Sequence, residues 1–262
     1  MSLREATVLS HPTARAVARN IVSVASGKGG VGKTWFSITL AHALARQGGR
    51  VLLFDGDLGL ANVDIQLGLM PTHDLGDVIA GRCEMAQAIT PFAAGRFDVL
   101  AGKSGSGALA QLSSNGLRDL REALATVATR YDRVIADLAA GVDAGVQALA
   151  GFGGPVLVIA NDEPTSLTDA YAFIKLAVQR QPGVDVRIVV NAAESKPAGR
   201  KTYEGLRRVC EGFLKISPPL AGVLRRDPKV RDAIRHQAPL LIRHPTAMAA
   251  EDVEALARNL AG

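Results

Sequence analysis

The sequence has few cysteines, few aromatic residues and no long apolar run. Its 262 residues include two cysteines, Cys83 and Cys210, which are far apart and belong to no CxxC or Cys/His cluster. A disulfide scaffold and a local zinc or iron–sulfur motif are therefore not expected, and a reducing compartment fits. No apolar run approaches the roughly 18–20 residues that a membrane span requires, and residues 1–20 lack the apolar stretch of a signal peptide. These absences predict a cytoplasmic protein.

The composition is that of a globular protein, 48% hydrophobic and 21% charged, with a formal net charge of +5. The basic excess is concentrated in residues 196–235, which hold 11 basic and 4 acidic residues. Such a segment can hold DNA without reading its sequence, can meet an acidic partner, or can simply face solvent. The sequence leaves these three interpretations open.

Short runs rich in Val, Ile and Leu alternate with patterns of helical period. Such runs are typical of strands in a parallel sheet that is covered on both faces. The alternation predicts an α/β fold, a three-layer sandwich with a mostly parallel central sheet. The predicted strands are residues 21–26, 50–54, 133–136, 155–160 and 186–190, and the predicted helices are residues 34–47, 116–130, 165–179 and 200–213.

The chain shows no internal repeat or long linker, so one domain over residues 21–262 is the simplest organisation, preceded by an N-terminal arm of residues 1–20. The glycine- and serine-rich stretch 102–107 is predicted to be a surface loop. The domain includes a C-terminal helix over residues 246–262. That helix has few basic residues, which favours packing on the body of the protein and does not support autonomous membrane binding.

Residues 27–34 read GKGGVGKT and match the pattern G-x-x-x-x-G-K-[ST] between a predicted strand and a predicted helix. Glycines let successive backbone N–H groups point at phosphate oxygens, and the following helix adds unpaired amides and its positive end. In this motif Lys33 reaches the β- and γ-phosphates and the Thr34 hydroxyl ligates Mg²⁺. The residues predicted to bind the nucleotide are Gly27, Lys28, Gly29, Gly30, Val31, Gly32, Lys33 and Thr34.

Acidic residues follow two of the predicted strands. Asp55 and Asp57 come directly after strand 50–54, and Asp137 comes directly after strand 133–136. Open parallel sheets bind ligands at the carboxyl ends of their strands, so these carboxylates fit Mg²⁺ hydration and an attacking water. The alternatives are a turn- or cap-forming pair for the first two and a plain strand-ending residue for the third.

The loop GKGGVGKT resembles the deviant Walker A motif of the MinD/ParA family, and FDGDLGLANVDIQLGL resembles the switch region of MinD-type ATPases. The resemblance covers almost the whole chain after residue 20 and implies the P-loop NTPase fold of the MinD (SIMIBI) type. It implies that Lys28 reaches across an ATP-dependent homodimer to the partner's ATP. It also implies that Lys33 and Asp57 act in catalysis, Asp57 by orienting the hydrolytic water.

The same resemblance implies roles for four further residues. Asp55 and Asp137 join Thr34 in supporting Mg²⁺, and Asn62 is a neighbouring switch residue. Asn191 follows strand 186–190 and would read adenine through its amide, although it could equally cap a loop. The residues after it do not complete an Asn-Lys-x-Asp box, which favours ATP over GTP. At position 138 the chain has leucine where the family has a small hydroxyl residue.

Residues 163–175 and 220–240 are similar to segments of the flagellar-number regulators of this family, the FlhG/FleN/YlxH group. This implies a slow regulatory ATPase that dimerises on ATP and is reset by hydrolysis. Its expected partners are a flagellar GTPase or a transcriptional activator, with recruitment to a cell pole. The alternative is a ParA-like ATPase that associates with DNA through residues 196–235 and positions another cargo.

Two rivals of the same fold are disfavoured by individual residues. An iron–sulfur scaffold or nitrogenase-like reductase needs bridging cysteines at a dimer face, and Cys83 and Cys210 stand in the wrong places. A pseudo-ATPase that only binds nucleotide is disfavoured because Lys33, Thr34 and Asp57 are all present.

Overall fold

The structure is a computed structural model that describes residues 18–57, 59, 61–102 and 113–261. The predicted arm 1–20, apart from a 3-10 turn at Ala18–Asn20, lies outside the described residues, as does the predicted loop 102–107 apart from Gly102. No helix in the described part of the chain is long and apolar enough to cross a membrane.

The described residues form one sheet of eight strands. The strands are β1 (Ile21–Ser26), β2 (Val51–Gly56), β3 (Ile89–Phe92), β4 (Phe97–Leu100), β5 (Arg133–Ala140), β6 (Val156–Ala160), β7 (Val186–Ala193) and β8 (Leu220–Arg225). Their order across the sheet is β3-β4-β2-β5-β1-β6-β7-β8. Only the pair β3–β4 is antiparallel within this sheet, so the predicted mostly parallel sheet is confirmed.

Helices cover both faces of the sheet. They are α1 (Lys33–Arg46), α2 (Val63–Leu67), α3 (Leu75–Ile79), α4 (Ser114–Ala128), α5 (Ala144–Ala150), α6 (Pro164–Arg180), α7 (Lys196–Leu214), α8 (Pro228–Arg235), α9 (Leu240–Arg243) and α10 (Met248–Ala261), with a further 3-10 turn at Met85–Ala88. Successive strand residues point to opposite faces. In β1, Ile21 packs in the core beneath α4 to α7, whereas Val22 packs in the core beneath α1 and α8 to α10.

The strands that carry the predicted site residues are longer than the sequence indicated. β2 ends at Gly56, β5 at Ala140 and β7 at Ala193. Asp55 pairs with Asp137 in register across β2 and β5, and Gly56 pairs with Leu138. The two aspartates therefore belong to the strands, because backbone pairing continues past the apolar runs that defined the prediction.

The C-terminal helix α10 packs on α1 and β8, and its Ala249, Val253 and Leu256 are buried. A buried carboxylate also holds it there. Asp252 lies 2.6 Å from Lys196 Nζ and accepts hydrogen bonds from the backbone and guanidinium of Arg225 at 2.8–3.0 Å. Burial acts to raise the pKa of Asp252, but the hydrogen bonds from Arg225 and Lys196 outweigh it and keep that pKa below its usual value.

Replacing Asp252 with alanine should lower the free energy of unfolding by about 2 kcal/mol, because it leaves two cations without their shared partner. The matched control is Glu251→Ala on the neighbouring residue, which is exposed and contacts Arg225 at 3.3 Å. This variant should lower the free energy of unfolding by no more than about 0.5 kcal/mol. Urea unfolding of both variants measures the difference. Equal losses would contradict the anchoring role.

Candidate functional site

The loop between β1 and α1 has the backbone form that a phosphate cradle needs. Gly30 and Gly32 have φ angles of 78° and 92°, in the left-handed region that favours glycine. Lys33 begins α1 and is buried, with 8% of its surface exposed. The loop therefore presents its backbone and the Lys33 ammonium together at the amino end of a helix, an arrangement suited to an anion.

The first glycine of the loop is held against α6. A Cβ atom on Gly27 would lie 2.0 Å from the carbonyl oxygen of Asp169, a distance that two non-bonded atoms cannot share. Nothing lies within 4 Å of a Cβ placed on Gly29. The backbone of Asp169 thus limits how closely α6 approaches the loop.

The predicted carboxylates lie side by side at the carboxyl edge of the sheet. Asp55 and Asp137 are each 1% exposed. The Asp137 carboxylate accepts hydrogen bonds from the hydroxyls of Ser37, at 3.0 Å, and Thr34, and it is close enough to Lys33 to feel its charge. The structure therefore brings the loop lysine, the loop hydroxyl and the β5 aspartate together, as the sequence predicts.

Asp55 also organises the segment that follows it. Its Oδ1 accepts the Asp57 N–H at 3.1 Å, and its Oδ2 accepts the N–H groups of Asn62 and Val63 at 3.2 Å. Asn62 is the N-cap residue of α2. Asp57 lies near enough to Asp137 to influence its pKa. The metal role predicted for Asp55 and the water-orienting role predicted for Asp57 stay predictions.

Burial makes the ionised form of the two aspartates at this edge of the sheet unfavourable. It raises the pKa of Asp55 to about 7, with a further contribution from the charge of Asp137, against the opposing backbone hydrogen bonds. Burial likewise raises the pKa of Asp137 to about 6, although Lys33, Thr34 and Ser37 oppose it. Carboxylate and hydroxyl oxygens are ligands that Mg²⁺ prefers, and Mg²⁺ usually binds one or two carboxylates together with phosphates. The donors present therefore fit the predicted ion.

A cavity of about 670 Å³ opens beside the loop. Asn191 lies at its wall, donates Nδ2–H to the Val31 carbonyl at 2.6 Å and accepts the Ala192 N–H at 2.8 Å. Asn191 thus braces the loop directly, and its predicted contact with adenine stays a prediction. The residues that line the cavity are Gly30, Val31, Gly32, Trp35, Asn161, Glu163, Asn191, Ala192, Arg225, Arg226, Asp227, Pro228, Val230, Arg231 and Ile234.

Lys28 is held at the start of α6. Its Nζ donates to Glu163 Oε2 at 2.8 Å and to Thr165 Oγ1 at 2.9 Å, at the start of α6. The hydrogen bond and charge of Lys28 lower the pKa of Glu163. Sequence reasoning missed Glu163, Thr165 and Ser37 as neighbours of the site. Only Ser37 had a local signal, since it follows Lys33 by one helical turn.

The basic segment 196–235 is divided between several environments. Lys196 and Arg225 pair with Asp252, and Arg207 pairs with Glu204 and Glu211 at 2.6 Å. Other members, Arg226 and Arg231, line the cavity beside the loop. Some basic residues of segment 196–235 thus form ion pairs within the fold, and others line the cavity beside the loop.

Leu138 is buried, with 1% of its surface exposed, and packs in the core against the α4 to α7 layer. A Cβ atom on Gly56 would lie 3.1 Å from its side chain. The position where the resembling family has a small hydroxyl therefore contributes packing here.

Gly27→Ala should destabilise the protein by about 2 kcal/mol or more, because the new methyl must push α6 away from the loop. Gly29→Ala, in the same loop, is the matched control and should fold with nearly unchanged stability. Thermal and urea unfolding of the two variants in the absence of ligand checks this. A harmless Gly27→Ala would contradict the packing of the loop on α6.

Mg²⁺ affinity should fall as the pH is lowered from 8 to 6, because Asp55 and Asp137 take up protons that the ion must displace. Below a pKa of about 7 the loss should approach tenfold per pH unit. Calorimetric titration of Mg²⁺ into the protein with ATP measures it, with protein-free ATP titrated at each pH as the control. A constant affinity would show that neither carboxyl titrates on binding.

Comparison with known proteins agrees with this geometry. Residues 22–240 match the family model for the CobQ/CobB/MinD/ParA nucleotide binding domain. The antiactivator FleN of Pseudomonas aeruginosa is 37% identical over 92% of this chain and 85% of its own length. The flagellum site-determining protein YlxH of Helicobacter pylori is 30% identical over 72% of this chain and 64% of its own. The septum site-determining protein MinD of Pyrococcus horikoshii, solved as a complex with Mg-ADP, superposes with a TM-score of 0.77 at 25% identity, covering 92% of this chain and 95% of that one.

Proposed function

The chain belongs to the CobQ/CobB/MinD/ParA nucleotide-binding family, and from this premise we propose that it is an ATP hydrolase that works as a regulatory switch. The observation that carries the proposal is the convergence of Lys33, Thr34, Asp57 and Asp137 beside one glycine-rich loop. Mg²⁺ would balance the negative charge of the buried aspartates, and the triphosphate of ATP would balance the positive charge of Lys33. The solved relative that holds Mg-ADP supports the same choice of ligand.

Each residue has a distinct task in the proposed reaction. The loop amides and the Lys33 ammonium bind the β- and γ-phosphates and stabilise the charge that develops on them. Thr34, Asp55 and Asp137 would hold the magnesium, directly or through water. Mg²⁺, when bound, supplies further neutralisation of the phosphate oxygens. Asp57 orients the water that attacks the γ-phosphorus.

The second part of the proposal is that ATP holds two copies together through Lys28. In the free chain the Lys28 side chain is 37% exposed, and its ammonium is held by Glu163, whose side chain is 55% exposed. An ion pair so open to solvent is weak and screened by salt. Exchanging one carboxylate for the phosphates of a partner's ATP is therefore a small change for Lys28. Hydrolysis would remove the phosphate and reset the pair.

The cellular role we propose is control of flagellar number or placement. The similarity to an antiactivator and to a flagellum site-determining protein supports it. The partners would then be a transcriptional activator or a flagellar GTPase, met in the cytoplasm and at a cell pole. Association with DNA through residues 196–235 is the weaker candidate, since Lys196, Arg207 and Arg225 are already paired within the chain.

With ATP and Mg²⁺, Asp57→Ala should accumulate as a dimer, because it binds ATP and hydrolyses it poorly. Lys28→Ala should stay monomeric, because the cation that joins the copies is gone. Lys175→Ala, which removes an exposed lysine from α6, is the charge-matched control and should behave as wild type. Size-exclusion chromatography with light scattering measures the mass of each. If all four proteins remain monomeric whatever the nucleotide, the switch mechanism is wrong.

A further inference from the structure

Trp35 is the only tryptophan in the chain, and it follows Thr34 in the first turn of α1. Its position is well fixed. The ring packs edge-on against Phe36, with centroids 6.4 Å apart and planes at 84°. Its carbonyl accepts the Thr39 hydroxyl at 2.7 Å. The indole is only half-buried, and its remaining surface lines the 670 Å³ cavity beside the loop.

Two side-chain nitrogens meet beside the last glycine of the loop. A Cβ atom on Gly32 would lie 2.5 Å from Trp35 Nε1 and 2.5 Å from Asn191 Nδ2. Gly32 directly precedes Lys33, the residue expected to hold phosphate. A nucleotide whose phosphates lie on the loop must therefore direct its sugar and base past the indole and the Asn191 amide.

The wall of the cavity that β8, α8 and the residues between them contribute carries both positive charge and apolar surface. Its lining residues include the cationic Arg226 and Arg231 and the apolar Val230 and Ile234. Planar guanidinium groups and indoles both stack on nucleobases. The cavity volume is within the range of about 300–1,000 Å³ that small-molecule sites occupy. The cavity thus offers a flat aromatic group on one side and cations on another.

We propose that Trp35 determines base recognition in this protein by stacking its indole on the purine of the bound nucleotide. The proposal rests on the nucleotide-binding function proposed above and adds a residue that favours a purine base, beside the adenine contact predicted for Asn191. A π-face binds a purine more strongly than a smaller pyrimidine, whereas the loop binds phosphates whatever the base. Trp35 therefore contributes to the affinity for ATP and not to the affinity for a triphosphate without a base.

Tryptophan emission, excited at a wavelength that the three tyrosines do not absorb, reports on this residue alone because the chain has no other tryptophan. With Mg²⁺ present, ATP should quench the emission. Inorganic tripolyphosphate, which carries the phosphates and no base, should leave the emission nearly unchanged at concentrations that calorimetry shows to saturate the loop. Equal quenching by the two ligands, or an ATP complex with unaltered emission, would overturn the stacking.

Affinities of variants separate stacking from a merely structural role. Trp35→Leu keeps an apolar side chain in the core and should weaken ATP binding about tenfold, equivalent to about 1.4 kcal/mol, without changing tripolyphosphate binding. The preference for ATP over UTP should shrink as well. Trp35→Phe keeps an aromatic ring and should restore most of the affinity for ATP and most of the preference for ATP over UTP. Phe213→Leu, on the exposed side of α7, is the remote control and should match wild type.

The outcomes distinguish this proposal from the proposed function. If Trp35→Leu loses both ligands to the same extent, the indole only supports the fold of the loop and the proposal is wrong. If wild type binds neither ATP nor tripolyphosphate in calorimetry, the proposed function fails first and the base-stacking role fails with it. If wild type binds ATP and tripolyphosphate, and Trp35→Leu loses affinity for ATP alone, the proposed function and the stacking role of Trp35 are both supported.

Discussion

Two carboxylates buried against each other are the constraint around which the site is built. Asp55 and Asp137 face one another across paired strands, and both are almost fully removed from water. A carboxylate in a low-dielectric interior is costly to ionise, so burial raises the pKa of both residues, and the charge of Asp137 raises that of Asp55 further. Lys33 and two hydroxyls offset part of it on one side, and backbone amides offset part on the other. A bound cation would offset the rest.

Helix α1 connects the separate parts of this arrangement. In the proposed function its first residues would supply a cation to the phosphates, a hydroxyl to the metal and an indole to the base, and Ser37 one turn later donates a hydrogen bond to Asp137. The buried apolar side chains of the same helix, among them Phe36 and Leu40, fix it on the sheet. Because these groups share one rigid element, small movements of α1 would alter phosphate, metal and base contacts together.

Helix α6 approaches the same loop from the opposite side. Its first turn holds Lys28 through Glu163 and Thr165, and its Asp169 carbonyl packs on Gly27. The loop therefore lies between a helix that would bind the nucleotide and a helix that restrains the lysine proposed to reach a partner. In the proposed mechanism this would be a short physical route from nucleotide occupancy to dimerisation.

The glycine-rich loop could be predicted from the sequence because it is a continuous, local pattern, and the apolar runs located five strands. The antiparallel pair β3–β4 and the edge strand β8 were missed. β3 and β4 have only four residues each, and Pro91 in β3 and Gly222 in β8 interrupt the apolar patterns of those strands. Contacts set by register, such as that between Asp55 and Asp137, have no signature along the chain. The contact between Lys28 and Glu163 joins residues 135 positions apart.

The most direct test of the account is a crystal structure with Mg²⁺ and a nonhydrolysable ATP analogue. The account predicts a face-to-face dimer in which Lys28 has left Glu163 and contacts the phosphates bound by the other copy. A monomer with Lys28 still on Glu163, or a loop that binds no phosphate, would contradict it.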